Sequence, residues 1–171
     1  MLTETISTVT EQELLFNNSF GIKLTAQNVI QEIKNFINAD PKRDYKVIIG
    51  SDSEKQADLT ADFVTAVVVH RVGNGGRYFW RRIENQRRYH SLRDRILDEV
   101  LLSLDIAKSL LATAKNSDMP KFDFEIHVDV GENGETKVMI QEVVGMIRAN
   151  NFEPRTKPNS YAASKVADRH V

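Results

Sequence analysis

The chain has 171 residues, of which 41% are hydrophobic and 27% charged, a composition typical of one globular domain with a substantial core. It has no cysteine, which excludes disulfides and thiolate metal sites and leaves carboxylate, imidazole and backbone oxygen as possible metal ligands. No apolar run approaches the roughly 20 residues that span a bilayer, and the beginning of the chain lacks the pattern of a signal peptide. We therefore expect a cytoplasmic protein without membrane contact.

The net charge of −1 excludes a chain that is basic as a whole, so the distribution of charge is more informative than its sum. Arginines are concentrated between positions 71 and 95, namely Arg71, Arg77, Arg81, Arg82, Arg87, Arg88, Arg93 and Arg95. The guanidinium group suits phosphate because it donates two parallel hydrogen bonds. The same stretch is also compatible with a solvated strand face and the start of a helix, and it does not by itself distinguish the two.

The first part of the chain predicts an arm followed by a helix. Residues 1–15 are polar and predict a flexible arm. Residues 16–24 indicate a short strand or an extended lead-in. Thr25 is the expected N-cap of a helix over residues 26–38, because the apolar side chains that follow it recur at helical spacing.

Three strands come next, over residues 45–50, 62–71 and 77–83, with a glycine-rich turn at residues 73–76 between the last two. They predict an antiparallel meander. The remaining predicted elements are a helix over 91–115, a strand over 121–130, a helix over 136–149, a short strand over 152–157 and a terminal helix over 161–169.

A strand followed by a helix and another strand implies a parallel crossover. The prediction is therefore one α/β domain over residues 16–171. It would contain a mixed five-stranded sheet, with three antiparallel strands and then parallel crossovers, covered by helices on both faces and preceded by an N-terminal helix.

Two aspartates stand near the ends of buried strands. Asp52 follows the apolar run that ends at Gly50, and Asp129 lies near the end of the strand over residues 121–130. A carboxylate at this end of a buried strand in an α/β sheet usually faces the crevice in which ligands bind. Aspartate is also common there as a turn former. Two of them on strands that this topology can make neighbours favour a functional site.

Glu99 lies on the apolar stripe of the long helix, together with Ile96, Ser103 and Ile106. A carboxylate on a stripe that faces the sheet loses hydration and needs a partner or a metal ion. The alternative is a glutamate that reaches the helix edge or pairs with an arginine. Asp98 lies on a stripe that looks solvated, and it is the fallback candidate.

Asp168, in the predicted terminal helix, is the fourth acidic candidate, with solvent exposure at a fraying terminus as the alternative. Clustered carboxylates repel one another unless cations lie among them. Hard oxygen ligands select Mg²⁺ or Mn²⁺. Two such ions about 4 Å apart can stabilise both the attacking and the leaving oxygen of a phosphodiester.

The order and spacing of these acidic residues resemble the ribonuclease H-like superfamily, and the chain is closer still to its bacterial YkuK-type family. The segments that carry the resemblance are IIGSDS, SLRDRILDEVLLSLDIA, IHVDVGENGETKVMIQEVVGMI and KPNSYAASKVADR. The resemblance covers roughly residues 16–171. It implies that Asp52, Glu99, Asp129 and Asp168 are the catalytic and metal-binding residues, with two Mg²⁺ or Mn²⁺ ions between them.

The function that follows is a divalent-metal-dependent nuclease that acts on RNA, an RNA–DNA hybrid or structured DNA. Arg87, Arg88 and Lys137 are the expected contacts to substrate phosphates. The alternative is a non-catalytic adaptor for nucleic acid or protein on the same scaffold. His127 is expected on the same strand face as Asp129, as a proton shuttle or as a structural histidine. The sequence does not predict an oligomeric state.

Overall fold

The structure is a computed structural model that describes residues 13–85 and 87–171, except for the side chains of residues 163 and 164. Most of the arm predicted over residues 1–15 lies outside the described residues. The strands are β1 (Leu15–Asn18), β2 (Lys23–Thr25), β3 (Tyr45–Lys55), β4 (Ala61–Arg71), β5 (Gly76–Asn85), β6 (Asp123–His127) and β7 (Glu153–Arg155). The helices are α1 (Ala26–Asn38), α2 (Leu92–Ala114) and α3 (Ile140–Ala149), with a 3₁₀ turn at Glu135–Met139 before α3.

The strands form one mixed sheet in the order β2-β1-β5-β4-β3-β6-β7. β3, β4 and β5 are an antiparallel meander, β6 is parallel to β3, and β7 is parallel to β6. The predicted number of five strands was wrong. The additional strands are the hairpin of β1 and β2, which pairs with β5 through Asn17 and Asn18 and so extends the sheet at that edge.

All three α-helices pack on one face of the sheet. The buried side chains of α1, α2 and α3 form a single core cluster with Val47, Ile49, Val67 and Ile126 of the central strands. Thr25 starts α1 because its hydroxyl accepts a hydrogen bond from the Asn28 amide. By packing against β3 and β6, the helices fix the positions of the two strands that lead to Asp52 and Asp129.

The opposite face is covered by residues 161–171, which we call the terminal segment. The terminal helix predicted over residues 161–169 is present in part, as a π turn at Ala162–Val166 and a 3₁₀ turn at Ala167–His170 rather than an α-helix. Ala162 and Ala167 are fully buried, and these small side chains allow close approach to the sheet. The imidazole of His170 stacks on the indole of Trp80 with ring centroids 4.1 Å apart. The second face of the sheet is therefore covered by short helical turns, and the α-helices are confined to the first face.

The ends of two strands differ from the prediction. β3 continues to Lys55, because its hairpin with β4 stays paired through Lys55 and Ala61. Asp52 therefore lies within a strand rather than after it. β6 ends at His127, which leaves Asp129 in the loop that follows. None of the helices in the described residues is long and apolar enough to cross a membrane.

Candidate metal centre

Asp52 and Asp129 lie at the same end of two neighbouring parallel strands, Asp52 within β3 and Asp129 in the loop after β6. β3 and β6 are parallel, with Ile48 opposite Glu125 and Gly50 opposite His127. Side chains of directly paired residues in parallel strands share a face, and the next residue on that face follows at a spacing of two. Two residues further along, Asp52 lies on this face of β3, whereas Asp129 lies in the loop two residues after the end of β6. The terminal segment covers this face.

The terminal segment brings Asp168 to Asp52. Burial is the main cause that raises the pKa of Asp52 to about 6, against the lowering effect of its hydrogen bond from the Ser53 amide. The charges of Asp168 and Asp129, and a hydrogen bond with Asp168, raise this pKa further. The carboxyl groups of Asp52, Asp129 and Asp168 therefore lie close enough for their charges to interact.

Glu99 approaches from the helical side. It is 7% exposed on α2, and its Oε1 accepts a 2.5 Å hydrogen bond from the Ser53 hydroxyl. Burial raises the pKa of Glu99 to about 8, although the hydrogen bond from Ser53 opposes the shift. The negative charges of Asp52 and Asp129 raise this pKa further, and Arg95 lowers it. The charge of Glu99 therefore interacts with the charges of Asp52 and Asp129. It does so although Ser53, which binds Glu99, and Asp52 point to opposite faces of β3.

Asp129 has an unusual environment. Its Oδ1 is buried and accepts no hydrogen bond among the described residues, although Lys157 Nζ lies 3.1 Å away in an ion pair. The contact is electrostatic, because an ion pair at this distance does not need hydrogen-bond alignment. A Cβ added to Gly131 would lie 2.8 Å from Lys157 Cβ, so the glycine makes room for the stem of this lysine.

Two basic residues and one hydroxyl also belong to the site, through contacts that the sequence did not predict. Ser53 binds Glu99, and Arg95 donates from Nη1 to the carbonyl oxygen of Ser53 at 3.3 Å. Extending the first strand past Gly50 would have revealed Ser53, because strand alternation then turns it toward α2. The sequence offers Lys157, before Pro158, as a candidate phosphate contact, but not its ion pair with Asp129, which depends on the path of the chain after β7.

The donor chemistry fits a hard divalent cation. Every candidate ligand is a carboxylate oxygen, two of these carboxyl groups have raised pKa values, and Asp129 Oδ1 is buried without a hydrogen bond. Within residues 13–85 and 87–171, however, no three acidic or histidine side chains are already arranged to hold one ion. Binding would therefore require side-chain rotation at this site.

The fallback residue Asp98 has a different environment. Its Oδ2 accepts hydrogen bonds from the hydroxyl of buried Tyr89 and from Arg87 Nη1, the latter at 3.0 Å. Asp98 therefore binds two residues of the loop before α2 and does not face bulk solvent. Arg87 is accordingly paired, Arg88 is exposed, and exposed Lys137 lies 4.0 Å from a carboxylate oxygen of Glu132.

The comparison with known sequences agrees with this architecture. The sequence model described as "Ribonuclease H-like" matches residues 28–171. The chain belongs to the ribonuclease H-like family. It is similar to the "Uncharacterized protein YkuK" of Bacillus subtilis (strain 168), with 36% identity over 171 aligned positions that cover 91% of this chain and 95% of the relative. No solved structure matches the chain.

Proposed function

We propose that the protein is a divalent-metal-dependent nuclease that hydrolyses phosphodiester bonds in RNA or structured DNA. The observation that carries this proposal is the electrostatic coupling of Asp52, Glu99, Asp129 and Asp168, which come from four separate parts of a ribonuclease H-like chain. Burying mutually repelling carboxyl groups is unfavourable without a cation, and functional sites often contain such perturbed groups.

The four carboxylates, Asp52 among them, would hold two ions of Mg²⁺ or Mn²⁺. Bound ions of this kind supply positive charge for the oxygens that attack and leave phosphorus. Hydrolysis adds water to the phosphodiester: the water oxygen bonds to phosphorus, the bond to the leaving 3′ oxygen breaks, and that oxygen gains a proton.

The protein itself contributes position and charge. The Ser53 hydroxyl orients the Glu99 carboxyl, and α2 keeps this carboxyl out of water. Lys157 is half exposed and lies beside Asp129, so its ammonium group is available to a substrate phosphate once the carboxylate binds a cation. Arg87, Arg88 and Lys137 remain our proposed contacts to more distant phosphates, because all three are on the surface.

A second candidate function is a non-catalytic adaptor for nucleic acid. It is favoured by two observations: no three candidate ligands in the described part of the chain are arranged to hold an ion, and Lys157 is already paired with Asp129. In such a protein the arginine-rich strand β5 and the loop after it would bind phosphates without cleavage.

One assay separates the two functions. The purified protein is incubated with Mg²⁺ or Mn²⁺ and a panel of single-stranded RNA, hybrid and branched DNA, and compared with Asp52→Asn, Asp129→Asn and the control Asp105→Asn. Asp105 is an exposed carboxylate on α2, the helix of Glu99. A nuclease loses cleavage in the first two variants and keeps it in the control. Metal-independent binding without cleavage in all four proteins supports the adaptor.

A further inference from the structure

We infer that His127 is a positioning residue that holds the terminal segment, and with it Asp168, against the strand that carries Asp52. This inference rests on the proposed function, because it assigns Asp168 to the metal site. Three observations support it: the contacts of the imidazole, the ion cluster that Glu125 forms beside the imidazole, and the path of the terminal segment between two anchors.

The imidazole of His127 links β6 to the start of the terminal segment. Its side chain is fully buried, and Nδ1 accepts hydrogen bonds from the backbone amides of Tyr161 at 3.0 Å and Ala162 at 3.4 Å. These amides belong to the first turn of the segment, where backbone donors have no partner within the turn. A protonated Nδ1 cannot accept them, so the neutral ring is the form that docks the segment.

Glu125 sets the tautomer of this ring. Burial alone would raise the pKa of Glu125. Hydrogen bonds from His127 and Lys46 and the positive charge of Arg155 have the larger, opposite effect, so this pKa lies below its usual value. The ionised carboxylate accepts from His127 Nε2 at 2.9 Å and from Lys46 Nζ at 3.1 Å, with Arg155 Nη2 at 3.4 Å. Because Nε2 carries the proton, Nδ1 is left as the acceptor.

The terminal segment is fixed at both ends, and Asp168 lies between them. Near its start, the ring of Tyr161 packs edge-on against His127 with centroids 4.7 Å apart, and the Tyr161 hydroxyl is 3.1 Å from His70 Nδ1. Near its end, His170 stacks on Trp80. Asp168 itself is exposed, so its position near Asp52 depends on these anchors rather than on its own burial.

His127 is the anchor that connects most directly to the metal centre. It is the last residue of β6, two residues before Asp129, and lies directly opposite Gly50, two residues before Asp52. Any shift of the segment at His127 therefore acts on the spacing between Asp168 and the two strands that carry Asp52 and Asp129. A proton-shuttle role is disfavoured, since both ring nitrogens of the buried imidazole are engaged in structural hydrogen bonds.

Two substitutions separate the functions of the two ring nitrogens. In His127→Asn the side-chain oxygen takes the place of Nδ1 and can still accept the amides. In His127→Gln the side-chain nitrogen takes the place of Nε2 and can donate to Glu125, but the acceptor is lost. We expect hydrogen exchange in residues 161–170 to accelerate by about tenfold in His127→Gln while β3 and β4 remain protected. His127→Asn should stay close to wild type.

The second readout is the dissociation constant for Mn²⁺, measured calorimetrically without substrate. His127→Gln should weaken binding as much as Asp168→Asn does, and the double variant should bind no more weakly than Asp168→Asn alone. Additive losses, unchanged exchange in His127→Gln, equal damage in His127→Asn, or loss of protection across the whole sheet would each overturn the inference. If the wild type binds no Mn²⁺, the proposed function fails instead, and the exchange comparison alone decides whether His127 docks the segment.

Discussion

The Ser53 hydroxyl donates a 2.5 Å hydrogen bond to Glu99 Oε1 and thereby joins the central strand β3 to the long helix α2 at the candidate metal centre. The bond connects a strand residue that follows Asp52 with a carboxyl group that is 7% exposed. Burial raises the pKa of Glu99 to about 8, so this carboxyl group is neutral in much of the metal-free protein near neutral pH. A bound cation would reverse that preference and favour the carboxylate.

The substitution Glu99→Gln should stabilise the metal-free protein and weaken metal binding. The amide oxygen of glutamine can accept the Ser53 hydroxyl, and the unfavourable buried charge is removed. At about pH 8 we expect a gain on the order of 1 kcal/mol, or about 2–4 °C in melting temperature. Thermal denaturation with and without Mn²⁺ measures both effects. A lower melting temperature without metal, together with unchanged Mn²⁺ stabilisation, would contradict this assignment.

The stability of the metal-free protein should fall as the pH rises. The folded-state pKa is raised from 3.8 to about 6 for Asp52 and from 4.5 to about 8 for Glu99. Such groups bind protons more tightly when folded, so their stabilising contribution is complete below the unfolded pKa and is lost as pH rises through the folded pKa. Melting temperatures measured between about pH 4 and pH 8 should decline more steeply in wild type than in Glu99→Gln.

Added Mg²⁺ or Mn²⁺ should reverse this decline, because the ions bind the ionised carboxylates of the folded protein. The largest metal-induced increase in melting temperature is therefore expected near the alkaline end of that range. A metal effect that is equal at acidic and alkaline pH would indicate binding outside this site.

The substitution Lys157→Met should tighten metal binding. Lys157 competes with a cation for Asp129, and methionine keeps an unbranched apolar stem beside Gly131. Because the lysine is half exposed, the ion pair is worth at most about 1 kcal/mol, which limits the gain to about two- to fivefold in affinity. Calorimetric titration with Mn²⁺ measures it, and weaker binding than wild type would show that Lys157 supports the site in another way.

The substitution Asp98→Ala should destabilise the fold but leave the metal affinity unchanged. It removes the acceptor of the Tyr89 hydroxyl and the partner of Arg87, and the loss of such a buried hydrogen bond costs about 1–3 kcal/mol. Asp105→Ala, at an exposed position of the same helix, is the matched control with little expected effect on stability. Reduced Mn²⁺ affinity in a folded Asp98→Ala protein would reopen the choice between Asp98 and Glu99.

Local patterns were sufficient to predict part of this fold. The cap at Thr25 and the apolar stripe that follows it predicted a helix with the same bounds as α1. The extension of β3 past Gly50 was missed because its residues there are polar or half exposed, and only pairing with β4 defines them as a strand. The terminal segment was also misassigned, because its alanines indicate a helix while close packing on the sheet produces π and 3₁₀ turns.

The candidate site was likewise predictable only in part from the sequence. Asp52 and Asp129 could be related in advance because the order of strands and helices predicts that the strands before them are parallel neighbours. The contact of Lys157 with Asp129 could not, since it depends on how the loop after β7 returns to the sheet. The docking of Asp168 likewise depends on buried contacts at His127 and Trp80, which no periodicity in the sequence indicates.

The most direct test of the account is anomalous diffraction from crystals soaked in Mn²⁺. The account predicts a manganese peak in contact with carboxylate oxygens of Asp52 and Asp129, with Lys157 displaced from Asp129, and no such peak in Asp52→Asn crystals. A structure at saturating Mn²⁺ that keeps the Lys157–Asp129 ion pair and contains no manganese at these carboxylates would contradict it.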